Sequence, residues 1–185
     1  VKKKDTYYEV SGKDFHFTID LDTGLMGKYY YKNDILMKNG PVPNVGRAKL
    51  DNDSSRYADL MKELTLAGEP EVIKNAQGCY VIKVKWNTAY FNGSNKEKQD
   101  TVAMNYLVEN NGAVTINVVY DLTNMQGKKI AKLGTIFSMP EGNEDISWYG
   151  NGDGESYNDR QSYTRKGVYH TSVNELYYPF ALPQD

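Results

Sequence analysis

The sequence predicts an all-β fold with one short helix, an antiparallel sandwich. Three observations carry that prediction. Apolar and polar residues alternate with a period of two over most of the chain, which is the pattern of half-buried strands. Tyrosine is abundant, with 16 among 185 residues, and aromatics make up 12% of the chain; tyrosine suits strands and binding faces alike. Short turn sequences, Asp22-Thr23-Gly24 and Asn110-Asn111-Gly112 among them, separate the alternating runs.

Taken in order, Phe15, Phe17, Ile19 and Leu21 share one face of the first clear strand, with His16 between two of them. Asp22-Thr23-Gly24 turns the chain, and Leu25–Tyr31 returns as the second arm of a hairpin. Asn39-Gly40-Pro41 reads as punctuation. Tyr57, Leu60, Met61 and Leu64 fall at i, i+3, i+4 and i+7, which predicts the one helix, with Ser54 or Ser55 as its cap and Gly68-Glu69-Pro70 as its end. That stripe is read as core packing on a sheet. From Glu71 onwards strands return. Tyr80, Ile82, Val84, Trp86, Thr88 and Tyr90 share one face, and Asn92–Asp100 reads as a polar loop too charged for a core. Val102, Met104, Tyr106 and Val108 resume the alternation; Val114–Leu122 and Ile130–Phe137 continue it. Roughly seven or more strands with short turns describe a large antiparallel sandwich. No repeat or linker appears, so 1–185 is read as a single β-sandwich domain.

Composition narrows the function classes. A hydrophobic fraction of 39% with 25% charged residues is ordinary for a globular protein. A net charge of −2 argues against nucleic acid as a partner, because phosphate backbones select basic surfaces. No apolar run reaches the length of a membrane span, and Val1–Val10 lacks the form of a signal peptide; neither places the chain in the cytoplasm or the periplasm. The single cysteine, Cys79, excludes an internal disulfide and is expected to be a buried, inert thiol.

Two stretches concentrate chemistry. Trp148–Arg160 spaces Gly150, Gly152 and Gly154 at every second position, which predicts a tight loop rather than a strand or helix. Glu155, Tyr157, Asp159 and Arg160 follow as a dense polar cluster. Such a cluster can hold a sugar by hydrogen bonds, or form a salt-bridge knot that pins the loop. The second stretch, Arg47–Asp53, ends in Asp51-Asn52-Asp53. No nucleophile elbow, His-x-x-x-His pair or phosphate loop can be assembled. A lone strand histidine such as His16 is more often structural than catalytic. Two carboxylates at the right separation hydrolyse glycosides, and Asp51, Asp53, Glu155 and Asp159 are the candidates.

The same stretches carry a family resemblance. Arg47-Ala-Lys-Leu-Asp-Asn-Asp53 is similar to the Arg-Ala-Pro-x-Asp-Asn-Asp segment of the β-galactosidase small chain, with Lys49 where proline is usual. Trp148-Tyr-Gly-Asn-Gly-Asp-Gly-Glu-Ser-Tyr-Asn-Asp-Arg160 resembles that family's Trp-x-Gly-x-Gly-Pro-x-Glu-x-Tyr-x-Asp-Arg, with Asp153 in place of proline. Tyr177–Asp185 is similar to its Tyr-x-x-Pro-Gln-Glu-Asn-Gly. Order and spacing agree over nearly all of the chain.

The resemblance implies the galactose-mutarotase-like supersandwich, incomplete at its C-terminus, within the C-terminal domain of a family 2 glycoside hydrolase. The catalytic glutamates of such enzymes lie in another domain, so the resemblance implies no catalytic residue here and no hydrolysis by this stretch alone. It implies a galactoside substrate for the parent enzyme, other domains of the same chain as partners, and a homo-oligomer. It implies no cofactor in this stretch, although the parent enzymes often use Mg and Na or K. The loop at Asp51, Asn52, Asp53 and Ser54 is implied to lie near the substrate pocket; a self-hydrogen-bonded turn explains those residues equally well. Arg47, Glu155, Tyr157, Asp159 and Arg160 are read as a structural polar cluster. Alternatives from other classes are a free carbohydrate-binding or interaction module, and a small mutarotase built on His16 or His170. Lost terminal strands would expose a sheet edge and core, so self-association is expected.

Overall fold

The computed structural model describes residues 1–44, 59–92, 95–125, 132–154, 156 and 161–177, with the backbone alone at 59–63, 89–92, 95–99 and 125. The regular structure of the described chain is all antiparallel strand apart from one 3-10 turn, Thr123–Met125. Contacts divide it into two compact units, Val1–Met139 and Pro140–Pro183.

The first unit holds two five-stranded sheets and a ribbon. One sheet is a meander, β1 (Lys2–Lys3), β2 (Tyr7–Ser11), β3 (Phe15–Asp20), β4 (Tyr29–Tyr31) and β5 (Asp34–Met37). Next come β6 (Asn39–Asn44), β7 (Asp59–Leu66), β8 (Glu71–Lys74), β9 (Tyr80–Asn92), β10 (Asn95–Val108) and β11 (Val114–Asp121). The second sheet has the order β11-β10-β9-β7, with β8 also paired to β9. β6 pairs instead with β12 (Gly134–Ser138) as a two-stranded ribbon.

The core lies between the two sheets. Val10, Phe15, Phe17, Ile19 and Met26 from one face Ile82, Val84, Trp86, Val102, Met104, Tyr106 and Val108 from the other. The period of two dictates this, since each strand buries every second residue. Two part-buried ties cross the interface. The Trp86 indole N–H donates to the Thr23 carbonyl at 2.7 Å, and the Tyr29 hydroxyl donates to the Gly112 carbonyl at 2.5 Å. The turn at Asp20–Gly24 is held by the Asp20 carboxylate, which accepts from the Thr23 hydroxyl and amide, both at 2.7 Å. Gly24, at φ 71°, closes it directly over Val84, Leu66 and Trp86.

The predicted helix is not one: Asp59–Leu66 is strand β7, running against β9. Between Asp59 and Glu63 the register is irregular, Asp59 facing Phe91 and Glu63 facing Ala89. Four steps on one strand against two on the other break strict alternation and give the apolar residues a helix-like spacing. Beyond the irregularity Leu64 and Leu66 are half-buried opposite Thr88 and Trp86, and the long neighbour β9 supplies the hydrogen bonds that favour a strand. Ser54, Ser55 and Tyr57 lie outside the described residues. Asn95–Asp100, expected to be loop, opens strand β10, and Asp100 is buried, accepting from the Asn124 amide at 3.0 Å. Asn39-Gly40-Pro41 begins β6; its prolines are tolerated because the ribbon has only two strands. Cys79 follows the Asn75–Gly78 turn and is half-exposed rather than buried.

The second unit is a ribbon of β13 (Asp145–Gly152) and β14 (Arg165–Ser172). Trp148–Gly152 is therefore strand, where a loop was expected. Trp148 and Tyr169 face each other in register and stack at 5.4 Å between centroids. Glycine is required beside them: a Cβ on Gly152 would sit 2.7 Å from the Tyr169 ring. Gly152, with Gly167 on the facing strand, where a Cβ would lie 3.2 Å from the same ring, clears space for the aromatic pair.

Candidate functional site

The first sheet turns its polar face outward. On β3, Phe15, Phe17 and Ile19 point into the core, which leaves His16 exposed on the opposite face. In register, His16 has Tyr30 of β4 on one side and Ser11 of β2 on the other. Its imidazole lies parallel to the Tyr30 ring, 4.4 Å between centroids and 7° between planes. Beyond Ser11 the chain turns through Gly12, Lys13 and Asp14 into β3, and the neighbouring β4–β5 turn brings up Lys32 and Asn33. The Lys32 amide donates to the Asp14 carbonyl, joining the two turns. Between them lies an open groove of about 640 Å³ lined by Glu9, Ser11, Gly12, Lys13, Asp14, Phe15, His16, Lys32 and Asn33.

Two apolar surfaces accompany it. On the β6–β12 ribbon Ile136 and Phe137 are 53% and 58% exposed beside a groove of about 370 Å³ that Leu25, Met26 and Val42 also line. On the second unit, Tyr149 and Val168 face each other in register and are 77% and 66% exposed. On the same face Ser147 Oγ lies 2.7 Å from His170 Nδ1.

The described acids whose pKa is displaced all move downward. Hydrogen bonds from Thr23 lower Asp20, those from Lys3 and Tyr8 lower Glu69, and those from Thr123 lower Asp121. The Ser172 amide and the Thr171 hydroxyl lower Glu175. A glycosidic general acid needs the opposite displacement, so these carboxylates are turn-formers and latches. Among the described residues no three His, Cys, Asp or Glu side chains converge as metal ligands.

Asp51, Asn52, Asp53 and Ser54, expected near the pocket, lie outside the described residues. So do Arg47, Glu155, Tyr157, Asp159 and Arg160 of the expected polar cluster. His16 and His170 are both exposed, on the first and second unit respectively. The groove at Ser11–Asp14 and Lys32–Asn33 was not anticipated. Its signal was present: the alternation that buries Phe15 and Phe17 necessarily turns His16 outward, towards the same face as one of the tyrosines in Tyr29-Tyr30-Tyr31.

Comparison with known proteins adds an independent line. Over its whole length the chain is 24% identical, across 197 residues, to a β-galactosidase of Pseudoalteromonas haloplanktis, covering 19% of that protein. It is likewise 24% identical over 207 residues to a β-galactosidase of Priestia megaterium, covering 18% of it. Over 86% of its length it is 25% identical to a β-galactosidase of Staphylococcus xylosus, covering 16% of that protein. The chain thus spans less than a fifth of the length of these curated relatives. The family described as Beta galactosidase small chain matches residues 11–185, in agreement with the resemblance read from Arg47–Asp53 and Trp148–Arg160, and the chain belongs to that family.

Proposed function

We propose that this chain acts as a non-catalytic domain of a β-galactosidase, an enzyme hydrolysing terminal β-galactosides, in which it supports the active-site wall and packs against other domains and subunits. The observation that carries the reading is the family match over residues 11–185, together with relatives about five times as long as the chain. The open apolar surfaces support the packing role. A two-stranded ribbon with Ile136 and Phe137 exposed on alternate faces has a hydrophobic surface suited to a covering partner. Reading 1–185 as one β-sandwich domain, assembled into a homo-oligomer, belongs to the same proposal. The residues proposed to face the substrate pocket are Asp51, Asn52, Asp53 and Ser54, on the strength of the Arg47–Asp53 resemblance.

The test is hydrolysis of a chromogenic β-galactoside by the 185-residue chain and by a full-length β-galactosidase that carries this sequence. The chain alone is expected to be inactive and the full-length enzyme active, with Asp53→Asn raising KM there. Turnover by the purified chain, lost in Asp53→Asn or Glu155→Gln, overturns the proposal.

A further inference from the structure

We infer that the groove over Ser11 and Gly12 is a binding site for a neutral saccharide, with one sugar ring laid against the open face of His16. Three features carry the inference. The first is the asymmetry of the cross-strand neighbours of His16. Tyr30 covers one face of the imidazole at 4.4 Å and holds the ring upright. On the other side the partner in register is only a serine, followed by a glycine. The second face of the ring therefore looks across a floor of small residues, and Tyr30 behind it fixes the rotamer before any ligand arrives. A rigid, one-sided ring at the wall of a shallow polar groove suits the apolar C–H face of a pyranose.

The second feature is charge. The charged side chains in the lining are Glu9, Asp14, Lys13 and Lys32, two of each sign; Lys4, 3.7 Å from Glu9, lies outside the lining. A balanced lining gives no net attraction to an anion or a cation. It does offer acceptors and donors side by side, and a polyol, whose every hydroxyl both donates and accepts, can use the whole set. The third feature is pre-organisation. The Lys32 amide donates to the Asp14 carbonyl, so the rim is built from two joined hairpin turns, and the volume of about 640 Å³ accommodates a disaccharide-sized ligand.

The inference concerns binding by this chain itself, so its test is separate from any hydrolysis assay. Lactose and cellobiose are titrated into the isotopically labelled 185-residue chain, with backbone amide and imidazole resonances followed by NMR. The expected result is saturable shifts at Ser11–His16 and Lys32–Asn33. His16→Ala should weaken binding about tenfold, the loss of one ring-stacking contact. Ser11→Leu, which fills the floor on an exposed position, should abolish it while leaving the remaining spectrum unchanged. Three outcomes overturn the inference: no saturable shift with either sugar, saturation centred elsewhere on the chain, or saturation at these residues by inorganic phosphate or spermidine with none by the sugars.

Discussion

Replacing Gly24 by alanine tests how the two sheets are joined. Gly24 has φ 71°, where an L-residue costs about 1–2 kcal/mol. A Cβ there would lie 2.4 Å from Val84 Cγ1 and 2.7 Å from Leu66 Cδ1. Those atoms belong to packed side chains on the second sheet, and overpacking of this kind costs about 1–3 kcal/mol. The two terms give a loss of about 2–5 kcal/mol, a large share of a typical domain's stability. Gly78 is the control. Its φ is 80°, but a Cβ there meets nothing within 4 Å, so Gly78→Ala carries the conformational cost alone. Unfolded-state entropy changes equally in both variants and cancels in the comparison. Urea unfolding monitored by circular dichroism measures each loss, and the slope of the transition should be unchanged. Gly24→Ala is expected to lose about 1–3 kcal/mol more than Gly78→Ala. Equal losses would show that the Asp20–Gly24 turn does not press on the core, and the reasoning would fail.

Four further outcomes are expected. Tyr106 is fully buried and its hydroxyl has no hydrogen-bond partner among the described residues, and burial pushes that phenol well above its ordinary range; Tyr106→Phe should therefore be neutral or stabilise by up to about 1 kcal/mol in the same urea assay. Asp20 is held below its usual pKa by the Thr23 hydroxyl and amide. Its contribution is accordingly present above the ordinary carboxylate range and lost as pH falls through the lowered value, so Asp20→Asn should flatten the acid limb of stability below about pH 4. In the second unit, Tyr169→Ala should remove the stacking partner of Trp148, costing about 0.5–1.5 kcal/mol beyond burial and reducing the near-UV circular dichroism signal. The exposed pair Ile136 and Phe137 should drive self-association of the 185-residue chain, and Phe137→Lys should lower the mass seen by light scattering; a monomeric parent chain would count against an uncovered ribbon.

Strands that bury one face were readable because their signal is local. Phe15–Asp20, Tyr80–Thr88 and Val102–Val108 each put every second residue in the core, as the alternation requires. Failures arose where a partner strand, rather than the local pattern, decides the conformation. At Asp59–Leu66 a register irregularity against β9 shifts the apolar residues into a helical spacing. The polar start of β10 is strand because Asn95 and Lys96 pair with Asn92 and Phe91, a fact no periodicity contains. Trp148–Gly152 reads as a loop because its glycines suggest turning, whereas Gly152 makes room for the Tyr169 ring that stacks on Trp148. The groove at His16 depends on which residues are set beside it by β2 and β4, and so becomes visible only after pairing is known.

The β6–β12 pairing sets Asn44 opposite Gly134, closing a loop of about 90 residues that contains the whole second sheet. Every other neighbouring pair of strands among the described residues is joined by a far shorter connection. Hairpins close early because little chain entropy is lost in forming them, whereas a contact across such a span is rewarded only once the intervening chain has collapsed. The ribbon is accordingly expected to act as a clasp that shuts last and opens first. Amide hydrogens of Val42 and Ile136 should exchange ahead of those of Val84 and Met104, and a protease acting on the native chain should find this clasp before it finds the sandwich.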